Sequence, residues 1–472
     1  MNRKTKIVAT IGPASNSTEQ LRQLIMRGVN VFRLNFSHGI HEDHKEVVTR
    51  VRKLDEELST HTAILADLQG PKLRVGKMED GVVLTEGSTF TLTSREMVGT
   101  ASQAYMNYEQ LPKDVKPGEQ ILLDDGKLKL EVVKTDNVSE VKTKVLVGGA
   151  LTSNKGVNLP NTIVSLPALT EKDTVDLHYA LSLGVDWVGL SFVRSARDII
   201  ELKHVIKNEH SSTRVVAKIE KPQALESIDD IIVAADAIMV ARGDLGVEIP
   251  MEQVPIIQKQ IVKKCLDHSK PVIIATQMME TMIENPIPTR AEVSDVGNAV
   301  MDGADAVMLS AETSVGKHPI KVIDCIVKIL EEIEQGYEAL YHHERIPEKS
   351  QERFITDSIC FNACRLANRV EAKAIVTMTH SGYTAFKISS QRPKAPIFVF
   401  SGNKILLSMM NLVWGVECFY YDKMVSTDHT IADIKYLLKK DGFVDEGDII
   451  INTASMPIED KGATNMLKLS YI

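Results

Sequence analysis

Short apolar runs recur along the first two thirds of the chain, each followed by a polar turn and then a segment with helical spacing. The runs are Ile7 to Ile11, Val29 to Phe36, Ala63 to Leu68, Asp186 to Phe192, Val215 to Ile219, Ala237 to Ala241, Val272 to Thr276 and Ala306 to Leu309. They are rich in Val, Ile and Ala and barely alternate, as strands buried on both faces do. Glu19 to Met26, Ser195 to Lys207 and Met251 to Asp267 carry the helical spacing between them. Eight such units predict an α/β fold built on a (β/α)8 barrel of the TIM type; a doubly wound open sheet is the alternative.

The rhythm breaks between Leu68 and Asp186. Gly87 to Thr93, Gln120 to Leu123 and Lys127 to Val133 alternate and are split by Gly, Asp and Asn turns. This pattern predicts a small all-β domain inserted after the third strand, over residues 70–168. An insertion there sits over the carboxyl ends of the barrel strands and can act as a lid, and we expect it to form a small β-barrel. The flanking residues 1–69 and 169–340 form the catalytic barrel. His342 to Gln351, polar and holding Pro347, reads as a linker. Beyond it, residues 352–472 predict a separate α/β domain. Its helices are Phe354 to Ala367 and Thr430 to Lys440. Its strands are Ala374 to Met378, Ile397 to Phe400, Cys418 to Tyr421, Asp448 to Asn452 and Met466 to Tyr471.

A length of 472 residues exceeds one average domain, and 43% hydrophobic with 25% charged residues is ordinary for a globular chain. The net charge of −8 argues against a dominant nucleic-acid surface. Five cysteines without a CxxC fit a reducing compartment, and Cys360 and Cys364, four apart on one helical face, read as buried thiols before a metal pair. No signal-peptide pattern precedes the first strand, and no stretch approaches the roughly 20 apolar residues of a membrane span. A cytoplasmic location, away from membranes, is the expectation.

Chemistry enters where the strands end, since barrel active sites lie at the carboxyl-terminal face. The second strand ends in Arg33, Asn35 and Ser37 on one face, with His38 next; the third in Asp67, with Arg74 soon after. The fifth ends in Lys218 and Glu220, and the sixth in Arg242, Gly243 and Asp244. The seventh ends in Thr276 and Gln277, the eighth in Ser310 and Glu312. Period-2 alternation puts Lys218 with Glu220 on one side and Arg242 with Asp244 on one side. Each alone is weak, since polar residues often end strands. Their recurrence at one end of a repeated unit points to a shared site for an anionic ligand and a metal. Glu220 and Asp244 are hard oxygen ligands suited to Mg²⁺ or Mn²⁺ rather than zinc. Arg33, Arg74 and Lys218 supply charge for phosphate oxygens. With no activated Ser or Cys nucleophile in view, the inventory fits phosphoryl transfer, which needs positioning and charge stabilisation.

Several stretches in order carry a family resemblance: Thr5 to Pro13, Val31 to Gly39, Asn154 to Pro160, Val215 to Glu220, Met239 to Pro250, Ala275 to Met278, Pro288 to Glu292 and Asp302 to Ser310. Over essentially its whole length the chain resembles bacterial pyruvate kinases, which share the barrel, the inserted β domain and the C-terminal α/β domain. The resemblance implies transfer of the phosphoryl group of phosphoenolpyruvate to ADP, the last step of glycolysis, in a homotetramer. Carried onto this sequence, Glu220 and Asp244 hold the divalent metal. Lys218 touches the transferring phosphoryl group, Arg33 binds the substrate phosphate, and the backbone N–H groups near Gly243 and Asp244, with Thr276, hold the carboxylate. Asn35, His38, Arg74 and Lys155 serve the nucleotide, ADP or ATP. Thr276 and Ser310 lie on the proton path to the enolate.

One departure stands out. Much of the family depends on K⁺ and has an acidic residue where this chain has Lys72, within Asp67-Leu68-Gln69-Gly70-Pro71-Lys72. Together with Val75, this resembles the K⁺-independent branch. The Lys72 ammonium would then supply the charge of K⁺ beside a vestigial site of Asn35, Ser37 and Asp67; the plainer reading points Lys72 into solvent. In the C-terminal unit, Thr379 to Ala385 lies between a strand and a helix, and its hydroxyls and N–H groups suit a phosphate. On the resemblance, Thr379, Ser381, Gly382 and Thr384 grip the phosphate of an allosteric effector, a sugar monophosphate or AMP before a bisphosphate, and Gly462 to Asn465 closes over it. Two other readings stay open: a metal-dependent carbon–carbon lyase on a phosphoenolpyruvate barrel, and a catalytically silent binding protein. The lyase does not need Arg74, Lys155 or a lid, and a mere binder does not need Lys218, Glu220, Asp244 and Thr276 together.

Overall fold

The computed structural model describes residues 3–341, 345–349, 352–423, 426–457 and 462–472. Eight parallel strands close into a barrel: β1 (Lys6–Thr10), β2 (Val31–Asn35), β3 (Ala63–Asp67), β4 (Trp187–Leu190), β5 (Arg214–Ile219), β6 (Ala237–Ala241), β7 (Val272–Ala275) and β8 (Ala306–Leu309). Each pairs with its neighbours in sequence, and β1 pairs with both β2 and β8, which rules out the open sheet. Successive residues face two apolar cores. Ile7 and Ala9 pack outward under the helices, while Val8 packs inward with Val31, Leu65, Val216 and Met239. Two buried faces explain why the runs show so little alternation. The amino end of the barrel is stoppered by the C-terminal domain: Trp187 Nε1 donates to the Met409 carbonyl at 3.2 Å, and the inner core runs on into that domain.

The helices begin where local chemistry supplies a cap. Ser17 accepts from the Gln20 N–H ahead of Thr18–Met26, and Thr170 and Asp173 form a reciprocal capping box at Glu171–Ser182. The expected helix over Met251 to Asp267 starts as one 3₁₀ turn, Met251–Gln253, and becomes α-helical at Val254.

The insert forms a six-stranded mixed sheet and a separate two-stranded ribbon around its own apolar core. Its edge strands, Gln103–Tyr105 and Val157–Asn158, are short. Arg74 and Val75 lie between them, making single bridges to Gly156 and Met106. In place of the continuous ladder of the expected β-barrel, these two isolated bridges are the pairings seen between the segment holding Arg74 and Val75 and the neighbouring edges.

The C-terminal domain is a five-stranded sheet ordered Val416–Tyr420, Ile397–Ser401, Ala374–Met378, Ile449–Ala454, Met466–Tyr471; only the last strand is antiparallel. Of the expected linker, residues 342–344 and 350–351 lie outside the described residues, and 345–349 hold no helix or strand. Cys360 and Cys364 are free, buried thiols on Phe354–Arg369, and burial pushes the Cys360 thiol up to about 12. Among the described residues, no helix is long and apolar enough to cross a membrane.

Candidate active site

Asp67, at the end of β3, is the hub of the charged cluster. It is buried; Arg33 Nε donates to its Oδ2 at 2.6 Å, and Lys218 Nζ lies 3.2 Å from its Oδ1. The neighbouring position on β4 is Gly189, where a Cβ would come within 3.0 Å of Asp67 Oδ1, so glycine gives this carboxylate its room. Lys218 Nζ also lies 3.0 Å from Glu220 Oε1 and donates to Ser191 Oγ at 2.7 Å. Alternation on β5 does place Lys218 and Glu220 on one side.

The electrostatics follow from burial and pairing. Burial alone would lower the Lys218 ammonium, but Asp67 and Glu220 outweigh it and hold it above the ordinary lysine value. Burial would raise Asp67, but Lys218 and Arg33 keep its carboxyl below the usual range. Glu220 goes the other way: burial raises it, the charge of Asp244 adds to that, and Lys218 only partly offsets them. The mouth therefore holds a permanently charged ammonium beside a carboxylate that is costly to ionise without a further cation.

Thr276 follows β7 in a left-handed conformation, with φ of 69°, and Gln277 continues it at 55°. A β-branched residue there is strained, a feature that persists where surrounding contacts demand it. The contacts are visible: Gly243 N–H donates to Thr276 Oγ1 at 2.7 Å, and Thr276 Oγ1 donates to the Ala275 carbonyl at 2.5 Å. Gly243 lets the two segments approach, since a Cβ would sit 3.3 Å from that hydroxyl. Ser310, after β8, is anchored through its N–H to Glu312 Oε2 at 2.7 Å, and Glu312 Oε1 accepts from Met279 N–H at 3.2 Å.

Arg242 departs from expectation. The strand ends at Ala241, and Arg242–Glu248 is helical, so the period-2 rule stops one residue earlier. In a helix, positions two apart face different ways. Arg242 turns to Asp295, pairing through both guanidinium nitrogens at 2.7 Å, and donates to the Thr276 carbonyl at 2.8 Å. It props Thr276, while the charge of Asp244 acts on Lys218 and Glu220.

Asn35 pairs in register with Asp67, and its Oδ1 accepts from Ser37 N–H at 3.1 Å, so these three come together. Lys72 does not join them: it lines a crevice between insert and barrel with Asp244, Phe192 and Lys221. Arg33 and Lys218 occupy Asp67 instead. Arg74 and Lys155 are held within the insert, Arg74 donating to the Asn154 carbonyl at 3.0 Å and Lys155 pairing with Asp124 at 2.8 Å. His38 is exposed on the turn after β2, and among the described residues no hydrogen bond or ion pair joins it to either. In the C-terminal domain, Thr379, Ser381, Thr384 and Thr464 line a cavity of about 860 Å³. Gly382, at φ of 82°, donates its N–H to Thr379 Oγ1 at 3.0 Å, and the Thr384 and Thr464 hydroxyls lie 2.6 Å apart.

Two site residues escaped the sequence reading, both on strands whose ends were passed over. Ser191 receives the Lys218 proton donor and itself donates to the Leu68 carbonyl at 2.7 Å. Thr10 accepts from Arg33 Nη1 at 3.0 Å. Their signal was positional: each is a hydroxyl at the carboxyl end of a barrel strand.

A divalent cation fits Glu220 and Asp244 on one structural ground. Glu220 Oε1 is buried with no hydrogen bond, and its ion pair with Lys218 at 3.0 Å only partly offsets burial and the charge of Asp244, a state that a divalent cation would relieve. Among the described residues no group of three or more His, Cys, Asp or Glu side chains is arranged to hold a metal. Two carboxylates leave most of an octahedron to water and ligand oxygens, the arrangement Mg²⁺ favours.

Comparison with known proteins agrees with this geometry. The family model for the pyruvate kinase barrel domain matches residues 2–323, and the one for the pyruvate kinase alpha/beta domain matches 357–470. A pyruvate kinase of Geobacillus stearothermophilus is 42% identical across the whole chain, which spans 81% of that relative. One from Corynebacterium glutamicum is 43% identical, with 98% of the relative spanned. The crystal structure of a pyruvate kinase from Cryptosporidium parvum superposes with a TM-score of 0.93 at 33% identity, covering 100% of this chain and 96% of that one. Fold, charged mouth and full-length similarity agree: the chain belongs to the pyruvate kinase family and is a kinase of that type.

Proposed function

We propose that the chain transfers the phosphoryl group of phosphoenolpyruvate to ADP in the barrel mouth, with Mg²⁺ or Mn²⁺ held by Glu220 and Asp244. The observation that carries this reading is the buried Lys218 ammonium, fixed by Asp67, Glu220 and Ser191. Held by Glu220 and Asp244, a divalent cation would supply positive charge to offset the negative charge developing on the substrate. Lys218 keeps its positive charge through the reaction and presents it to the phosphoryl group as that charge spreads over the equatorial oxygens. Arg33, braced by Asp67 and Thr10, takes the substrate phosphate. Thr276, braced by Gly243 and Arg242, turns its hydroxyl from the Ala275 carbonyl to the substrate carboxylate when substrate binds and, with Ser310, moves a proton to the enolate. Formation of ATP from ADP and phosphoenolpyruvate in a coupled assay tests the reading; carbon–carbon cleavage without ATP refutes it.

The finer assignments rest on the same frame. Residues 1–69 and 169–340 serve as the catalytic domain, 70–168 as a lid over the mouth, and 352–472 as a regulatory domain. Asn35, His38, Arg74 and Lys155 bind the nucleotide, with lid closure bringing the last two toward the barrel. Activity does not need K⁺: the cluster around Asp67 already holds two cations, and Lys72 adds a third charge in the adjoining crevice. A phosphorylated effector, a sugar monophosphate or AMP, binds through Thr379, Ser381, Gly382 and Thr384. Coupling to the mouth has a physical route. Arg214, at the amino end of the strand bearing Lys218, donates to the Ser381 carbonyl at 3.2 Å and stacks on Phe386 at 4.7 Å. The working form is a homotetramer in the cytoplasm.

A further inference from the structure

Two carboxylates that share one cation must be held at a set spacing, and the groups that hold them matter nearly as much as the ligands. Here the two are held differently. Glu220 is fixed directly: Phe192 N–H donates to its Oε2 at 2.7 Å, from a residue in the left-handed conformation at φ of 54°. Asp244 is half-buried, and among the described residues no hydrogen bond reaches its carboxylate. Its place is therefore set by the helix that carries it, Arg242–Glu248. Arg242 anchors the amino end of that helix to Asp295 and Thr276. What anchors its carboxyl end is Glu248.

Glu248 lies four residues after Asp244, so the two share a helix face. Its side chain is fully buried, and its Oε1 takes two donors, Lys221 Nζ at 2.5 Å and Asn158 Nδ2 at 2.8 Å. Its Oε2 is buried with no hydrogen bond. Lys221 directly follows Glu220, and its side chain is only 12% exposed. The ion pair thus joins the neighbour of one metal carboxylate to the residue one turn beyond the other. Asn158 comes from the insert, on the edge strand Val157–Asn158. The insert's Gly126 lies close by, since a Cβ there would come 3.5 Å from Val247 Cγ1. The insert therefore rests on this helix at two consecutive residues, Val247 and Glu248. A buried ion pair with an unfilled oxygen is a poor device for stability alone, because an apolar pair of the same volume does as well. As a spacer it is effective, since it fixes both distance and direction.

Resting on the metal site proposed above, we infer that Glu248 is a positioning residue: paired with Lys221, it sets the separation of Glu220 and Asp244 for a divalent cation. Asn158 shares the same carboxylate oxygen, so the placement of the insert bears on that separation. Glu248 acts through the backbone it braces rather than through its charge, since the charged side chains that act on Glu220 are those of Lys218 and Asp244.

The test is Mn²⁺ binding by the full chain without substrate or nucleotide, with free Mn²⁺ counted by electron paramagnetic resonance. Glu248→Gln keeps the size of the side chain and its contact with Asn158 but removes the charge facing Lys221. It should weaken the Mn²⁺ Kd about tenfold or more. Asn158→Ala, on the insert side, should weaken it about threefold. Arg52→Met serves as the stability control: it breaks the pairing with Asp186, 2.8 Å apart at the amino end of the barrel, and should leave the Kd unchanged. Glu220→Gln removes a ligand and should abolish tight binding. Parent-like binding by Glu248→Gln, with binding lost in Glu220→Gln, overturns the inference and leaves the metal site standing. Parent-like binding by Glu220→Gln overturns the metal site and the inference with it. Equal weakening by Arg52→Met overturns the inference, because the effect is then one of general stability. Should Glu248→Gln not fold, Asn158→Ala decides, and parent-like binding by that variant overturns the inference.

Discussion

Replacing Lys218 by Met keeps the length of the side chain and removes one charge from a site built around it. With Nζ 3.0 Å from Glu220 and 3.2 Å from Asp67, each attraction is worth about 5 kcal/mol gross at an effective dielectric of about 20. Most of that is offset by the desolvation of a fully buried lysine, and breaking such a buried arrangement costs a net ~3–5 kcal/mol. Part of this loss is avoided if Glu220, already raised by burial, takes up a proton. The variant should therefore be less stable than the parent in denaturant melts, with the deficit shrinking as the pH falls toward the carboxylate range. Turnover should fall further than stability alone explains. Removing one preorganised charge from a phosphoryl-transfer transition state costs about 10²–10³ in kcat, or ~3–4 kcal/mol. Divalent-cation affinity, followed by Mn²⁺ titration, should hold or rise, because the ammonium competing for Glu220 Oε1 is gone. A folded Lys218→Met variant whose kcat stays within about tenfold of the parent would refute the assignment.

The raised Glu220 carboxyl makes cation affinity pH-dependent: Mn²⁺ binding should weaken as pH falls through a window above the ordinary carboxylate value of about 4.3, and constant affinity down to pH ~5 contradicts this. For the cation-free fold the sign is reversed: Glu220's share of stability is present at low pH and is lost as pH rises from the unfolded value to the raised folded one. Steady-state rates in tetramethylammonium buffer without K⁺ should match those with K⁺, and a large loss restored by K⁺ removes the role given to Lys72. Ser381→Ala and Thr384→Ala should abolish activation by a panel of sugar monophosphates and AMP while leaving unactivated turnover alone; undiminished activation overturns the effector site. Arg242→Lys loses the two-pronged pairing with Asp295, roughly 1.5–3 kcal/mol for a charged hydrogen bond, and should lower kcat by letting Thr276 relax; an unchanged kcat refutes the propping role.

The local pattern of the chain was enough to find the barrel strands, the all-β insertion and the C-terminal strands, because apolar period and turn residues are properties of neighbours in sequence. Ala374–Met378 and Met466–Tyr471 coincide with the runs that predicted them. The strand-end rule likewise marked Lys218, Glu220, Asp67 and Arg33 as residues of one site, since a closed parallel barrel brings all carboxyl ends to one mouth. Partner choice was not legible, because it depends on distances between residues far apart in the chain. Arg242 pairs with Asp295, 53 positions on, because the strand stops at Ala241 and a helix begins. Lys72 lines the crevice against the barrel, and Asp67 is satisfied by Arg33 and Lys218 before any lysine of the insert reaches it. Ser191 matters only because Gly189 leaves room for Asp67 and thereby for the ammonium between them. Sequence determined the elements and the end of the barrel that carries the charges. Tertiary structure decided which charges meet, since burial and pairing are set by through-space packing.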